Sequence, residues 1–202
     1  MSMLSRDWAV RVDRELLIKG SLFDFVGMAW KEVEPARFVA NWHLEEVCAH
    51  LEAVSRCEIR DLVINEPPGC TKSLLVNVLW PVWEWLKREG KTKFIYASYD
   101  STLVGRRDGG KVINLLGSPW FKLRWGSLLL ESNPSSSDFD IRGGGFRFAT
   151  SPGGKGMGRH GNITVCDDPL KPVDVLGGGT VEKAALVSVS DWWANTMSTR
   201  QA

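Results

Sequence analysis

Apolar residues recur along this chain at two spacings, and the switches between them mark out its elements. Phe38, Trp42, Val47, Leu51 and Val54 fall near a 3.6-residue period with Glu45, Glu46 and Glu52 opposite, which predicts an amphipathic helix over 36–55. Leu62-Val63-Ile64 is a short β-type run that stops at Pro67-Pro68-Gly69. Leu75, Val78, Leu79, Val82 and Leu86 then predict a helix over 73–88, bent at Pro81 and ended by Gly90, with Trp80, Trp83 and Trp85 adding buried area. Phe94 to Ser98 reads as a buried parallel strand that delivers Tyr99 and Asp100 to its C-terminal edge. A helix over 101–116 follows and stops at Ser118-Pro119-Trp120; residues 132–138 read as a polar loop. Phe146 to Thr150 alternates like a strand, Gly153 to Gly161 is a glycine-rich turn, and Ile163 to Cys166 predicts another buried strand. Residues 1–34 are mixed and aromatic, with Leu22, Phe23, Phe25, Met28 and Trp30 predicting a packed brace or lid ahead of a domain over 35–202. Alternating strand and helix signals of this kind predict an α/β fold with a mainly parallel central sheet flanked by helices.

Composition narrows the class without identifying it. The 202 residues are 44% apolar and 24% charged, as in an ordinary globular chain long enough for a substantial core. A net charge of +1 provides no global basic field, so any nucleic-acid contact has to be a local patch or lie in another segment. Cys48, Cys57, Cys70 and Cys166 form no C-x-x-C pair, which favours a reduced, intracellular setting over a disulfide framework. His43, Cys48 and His50 are close in sequence but lack zinc-ligand spacing. No apolar stretch is long enough to span a bilayer, and no signal-peptide pattern opens the chain.

Chemistry concentrates in two stretches. Asp61 to Ser73 reads as strand, tight loop and helix start, with Glu66 and Thr71 standing where G-x-x-x-x-G-K-[ST] has glycines. As a phosphate cradle, the loop amides that follow Pro67-Pro68 and the helix N-terminus would face the anion, Lys72 would reach the β/γ-phosphates of ATP, and Ser73 would ligate Mg²⁺. The alternative is a structural proline-glycine turn, and Thr71 counts toward it because a β-branched residue resists positive φ. Downstream, Ile163 to Cys166 ends in Asp167-Asp168-Pro169. Two adjacent acids at the end of a buried strand call for a cation. In a P-loop enzyme this strand lies beside the phosphate loop, so Asp167 would hold Mg²⁺ through water and Asp168 would orient or deprotonate the attacking water. From the residues alone Trp42 reads as core and His43 as a satisfied surface or core histidine of their helix, and at least one of Arg106 and Arg107 as part of a solvated charged face.

A resemblance joins these stretches. The chain resembles the large terminase subunit of tailed bacteriophages and prophages, the ATPase motor that packages double-stranded DNA into procapsids. The likeness runs through Asn41-Trp42-His43, Pro67-Pro68-Gly69-Cys70-Thr71-Lys72-Ser73, Trp80-Pro81-Val82-Trp83-Glu84-Trp85 and Ala97-Ser98-Tyr99. It continues through Ser118-Pro119-Trp120, residues 144–150, Asp167-Asp168-Pro169-Leu170-Lys171-Pro172, and Trp192 to Arg200. It implies a P-loop NTPase fold, with Pro68, Gly69, Cys70, Thr71, Lys72 and Ser73 on the phosphates, Ser73 and Asp167 on Mg²⁺, and Asp168 where many relatives use glutamate. It further implies that Trp42 and His43 pack near the adenine and that Arg106 or Arg107, with Arg159 as a third candidate, stabilises charge on the transferred phosphoryl.

Complete subunits of that family carry a nuclease domain beyond the motor, together with a strand that couples hydrolysis to movement. The chain ends at Ala202, and Gly177-Gly178-Gly179 departs from the relatives. The expectation is therefore a motor domain without its nuclease, whether fragment, split gene or prophage remnant. Its expected partners are double-stranded DNA, the portal protein, the small terminase subunit and further copies of itself in a ring, in the cytoplasm of a bacterial host. Two rivals stand beside it: a helicase-type nucleic-acid-dependent ATPase, and a nucleotide-binding or assembly module without turnover.

Overall fold

The computed structural model describes residues 3–67, 69–126, 134–154, 158–171, 175–176, 180–181 and 183–200. Three helices lead the chain: α1 (Met3–Lys19), α2 (Leu22–Val33) and α3 (Trp42–Ser55). Ser21 starts α2 through a capping box, its hydroxyl accepting from Asp24 N–H at 3.1 Å while the Asp24 carboxylate accepts from Ser21 N–H at 3.2 Å. Asn41 caps α3, its side-chain oxygen accepting from Trp42 N–H at 2.8 Å. The helix expected from residue 36 therefore begins at 42. Phe38 packs instead against Phe23 and Trp30, with ring centroids 5.9 and 5.1 Å away.

The run Leu62-Val63-Ile64, expected as a strand, joins no ladder among the described residues. Leu62 and Ile64 pack on the core while Val63 is 82% exposed, so the alternation that signalled a strand records one face resting on the core without backbone pairing. From Lys72 the chain is helical to Lys87, as α4 (Lys72–Leu74), a π-helical turn (Leu75–Leu79) and α5 (Trp80–Lys87). Trp80 N–H donates to Leu75 C=O, five residues back. Pro81 has no N–H for the carbonyl of Asn77, and the helix widens ahead of it rather than breaking. Val82, Trp83, Trp85 and Leu86 are buried, each such side chain contributing about 1.5–3 kcal/mol, which makes this helix a rigid base for the loop before it.

After β1 (Lys93–Ala97) come a second π-helical stretch (Leu103–Gly109), α6 (Gly110–Gly117) and α7 (Pro119–Trp125). Ser118, expected as a stop, also caps α7 by accepting from Phe121 N–H at 3.1 Å. β2 (Asp138–Ile141), β3 (Gly145–Thr150) and β4 (Ile163–Cys166) complete a four-stranded sheet of order β2-β3-β1-β4. β1 runs parallel to both β3 and β4, and β2 is an antiparallel edge. A two-stranded pair, β5 (Val175–Leu176) with β6 (Thr180–Val181), precedes α8 (Lys183–Trp192), which continues as π-helical Trp193–Met197 and 3₁₀ Ser198–Arg200. The fold is thus mixed α/β with a mostly parallel sheet flanked by helices.

Alternation along the strands divides the interior. Phe94 and Tyr96 of β1 face the large core shared by α2, α3, α5, α6 and α7, whereas Ile95 and Ala97 face Met197, Trp192 and Trp193. α2 belongs to that large core, with Leu22, Phe25, Val26, Ala29, Trp30 and Val33 all buried in it. None of the described helices is long and apolar enough to cross a membrane.

Candidate nucleotide site

The C-terminal ends of β1 and β4 lie in register, Ala97 opposite Cys166, so both strands release their chains at one edge of the sheet. Such an edge is where parallel α/β sheets gather ligands. Beyond β4 the backbone turns at Asp168, whose φ of 47° is left-handed. Tyr99 N–H donates to Asp168 C=O at 3.1 Å and fixes the turn from the β1 side. Only one of the two acids is buried: Asp167 is 8% exposed, while the Asp168 side chain is 70% exposed. The expectation of two buried carboxylates is corrected by that turn, which rolls the second outward.

The start of α4 comes to the same edge. Ser73 Oγ donates to Asp167 Oδ2 at 2.8 Å, across 94 residues of sequence. Lys72 Nζ, on a side chain 25% exposed, lies 3.5 Å from Asp167 Oδ1 and 3.6 Å from Asp168 Oδ1. Upstream, Gly69 has φ 88° and Thr71 φ 65°, with Cys70 N–H donating to Pro67 C=O at 3.4 Å. Left-handed residues on both sides of Cys70 make this a tight turn, closed by the Cys70 N–H, immediately before the helix that carries Lys72 and Ser73. Thr71 accepts the strain expected of it, and its hydroxyl makes only a local bond, to Cys70 C=O at 2.6 Å. Pro68 lies outside the described residues.

A second layer stands behind Asp167. Asn77, fully buried in the π-helical turn, donates through Nδ2 to Asp167 Oδ2 at 2.8 Å and to Asp108 Oδ2 at 2.9 Å. Asp108, 3% exposed, is gripped by Arg107, with Nε on Oδ1 at 2.7 Å and Nη2 on Oδ2 at 3.0 Å. This hydrogen bonding raises the Arg107 guanidinium above its ordinary value, with further contributions from the nearby charges of Asp167 and Asp168. Burial, reinforced by the neighbouring acids, pushes the Cys166 thiol up to about 11. Beside this layer Arg147 is fully buried, its guanidinium 4.2 Å from the Tyr96 ring and its three nitrogens without hydrogen-bond partners. Desolvation lowers its pKa, with the nearby Tyr96 and Asp108 acting in the opposite direction.

Lys72, Ser73, Asp167, Asp168 and Arg107 are therefore brought together, and Arg106, Arg159, Trp42 and His43 are not among them. Arg106, exposed like Arg107, shares no hydrogen bond or ion pair with the cluster among the described residues, and Arg159 is held 2.9 Å from Asp138 and stacked on Phe146 and Phe148. Trp42 is 76% exposed, edge-to-face with His43, and neither shares a hydrogen bond or ion pair with the cluster. A cavity of about 910 Å³ lies at the opposite edge of the sheet, around Ile59, Arg88, Thr92 and Ile163, away from these residues. Asn77 and Asp108 were not singled out from sequence. The available signal was a lone amide inside the apolar run Leu74 to Val78 and an acid directly after two arginines.

Among the described residues there is no group of three or more His, Cys, Asp or Glu able to hold a metal by themselves. Mg²⁺ does not require one, since it is held through one or two carboxylates together with substrate phosphates. Asp167 and Ser73 fit that role: a nearly buried carboxylate whose Oδ1 lies toward Lys72, and a hydroxyl held 2.8 Å from its Oδ2. No protein-family model, curated protein or solved structure matches the chain.

Proposed function

We propose that the chain is a P-loop NTPase that hydrolyses ATP with Mg²⁺, as the motor domain of a tailed-phage large terminase subunit. In that role it would act with the portal protein, the small terminase subunit and further copies of itself in a ring to drive double-stranded DNA into procapsids in the bacterial cytoplasm. One observation carries the ATPase reading: the lysine and serine after a left-handed loop meet an aspartate released by a parallel strand, with Ser73 Oγ 2.8 Å and Lys72 Nζ 3.5 Å from its carboxylate. The packaging role rests on the motif resemblance around Trp80 to Trp85, Asp167 to Pro172 and Trp192 to Arg200.

In this reading Lys72, freed from its two acids by the incoming triphosphate, grips the β/γ-phosphate oxygens, and the amides around Gly69 to Thr71 hold the chain of phosphates. Ser73 and Asp167 would hold Mg²⁺, which when bound neutralises charge on the phosphoryl oxygens. Asp168, on the open side of the site, orients the attacking water. Lys72→Ala removes ATP turnover while circular dichroism and the unfolding midpoint stay those of the parent. Undiminished phosphate release by that variant refutes the site.

A second reading, nucleotide binding without turnover, is favoured by Asp168. Its carboxylate is one methylene shorter than glutamate, exposed, and directed at Lys72. Measuring ATP affinity and phosphate release separately divides the two, since tight binding with no release selects the second.

A further inference from the structure

Asn77 offers one amide to two acids. A side-chain NH₂ has two hydrogens, and here one goes to Asp167 Oδ2 and the other to Asp108 Oδ2. The orientation is forced, because turning the amide over would aim its oxygen at two carboxylates that only accept. The geometry leaves Asn77 Oδ1 buried with no hydrogen-bond partner. A fully buried amide that gives up one of its own polar atoms to serve two acids is shaped by those acids, not by general packing.

Each end of this chain of contacts is tied down. Asp108 cannot turn away because Arg107 holds both of its oxygens. At the other end, Asp167 Oδ2 accepts from both Asn77 and Ser73, which leaves Oδ1 as the oxygen toward Lys72. The two residues that build the link, Asn77 and Asp108, both sit in π-helical stretches that pack on each other, a widening that recurs at functional positions.

We propose that Asn77 is a positioning residue: anchored by the Arg107–Asp108 ion pair, its amide fixes the Asp167 carboxylate with Oδ1 turned to the divalent cation that accompanies the nucleotide. It rests on the nucleotide-site reading above. It also assigns Arg107 an anchoring role within its own chain, leaving the exposed Arg106 as the arginine of the pair not committed to Asp108.

The test uses Mn²⁺ as the probe, titrated by electron paramagnetic resonance in the presence of ATP, with ATP affinity measured separately in excess chelator. Asn77→Leu keeps the branched shape, with a somewhat larger volume, and removes the donor. It weakens Mn²⁺ binding by about 10- to 100-fold, the range for loss of a group that orients a metal ligand, and leaves metal-free ATP affinity within about 3-fold. A merely structural role would lower both together. Asp108→Ala and Asp108→Asn supply the independent pair should Asn77→Leu fail to fold. The alanine variant loses Mn²⁺ affinity in the same metal-selective way, and the asparagine variant, whose carbonyl still accepts from Asn77 but which lacks the ion pair to Arg107, loses less of it. Wild-type Mn²⁺ affinity in Asn77→Leu, or in both Asp108 variants, overturns the proposal. A parent protein that binds Mn²⁺ no tighter with ATP than without it overturns the nucleotide-site reading, and this role falls with it.

Discussion

Thr71 carries a conflict between its side chain and its backbone. A β-branched residue at φ 65° costs about 1–2 kcal/mol relative to a right-handed conformation, and glycine does not bear that cost. Thr71→Gly and Thr71→Ala both lose the local hydroxyl bond to Cys70 C=O, so they differ in backbone strain less the extra freedom of unfolded glycine. Urea unfolding is expected to place the glycine variant above the alanine variant by about 1 kcal/mol. A second expectation concerns the thiols. Burial, with Glu52 and Glu45 nearby, pushes Cys48 up to about 12, and a raised thiol pKa means less thiolate at any given pH; Cys57 is exposed. Iodoacetamide at neutral pH should therefore label Cys57 and spare Cys48 in the folded protein, as read by peptide mass spectrometry. Residues with distinctive chemistry in a local motif, Lys72, Ser73 and Asp167, were legible in the sequence. Asn77 and Asp108 were not, because their importance lies in each other and in an acid ninety positions away from Asn77.

Among the elements, the two adjacent glycines where the second π-helical stretch meets α6 make opposite demands. A Cβ on Gly109 would lie 1.9 Å from Ser136 C=O, whereas one on Gly110 would meet nothing within 4 Å. Gly110→Ala is expected to stabilise by about 0.5–1 kcal/mol through helix propensity. Gly109→Ala should destabilise by at least about 1–3 kcal/mol, since backbone has to move to admit the methyl group. Thermal unfolding of the pair separates propensity from packing. Helix α5 and strands β1, β3 and β4 were readable because hydrophobic period and length agreed in each. The strand over Leu62 to Ile64 was overread, since alternation reports which side faces the core and not whether the backbone finds a partner. β2 was missed although Asp138-Phe139-Asp140-Ile141 alternates strictly; four residues after a polar loop signal only once β3 lies beside them. The helix expected from 36 starts six residues late because the Asn41 cap outweighs Phe38's agreement with the apolar period.

At the scale of the molecule, the sheet explains how distant segments meet. β1 lies between β3 and β4, all parallel, so the chain leaving β4 emerges beside the chain leaving β1, and α4 opens against the same edge. The parallel, helix-flanked arrangement was legible from the alternation of strand and helix signals. The spatial order of the strands was not, because it depends on which edges pair and not on any local pattern. The central claim is that Lys72 and Asp167, joined by this topology, grip one ATP with its divalent cation. Isothermal titration of the full chain with MgATP tests it most directly. The expected result is saturable binding at one site per chain, weakened at least about 10-fold by Lys72→Ala, the loss of one charge-assisted phosphate contact, with no change in unfolding midpoint. Absence of binding to the parent protein, or equal affinity in the variant, would contradict it.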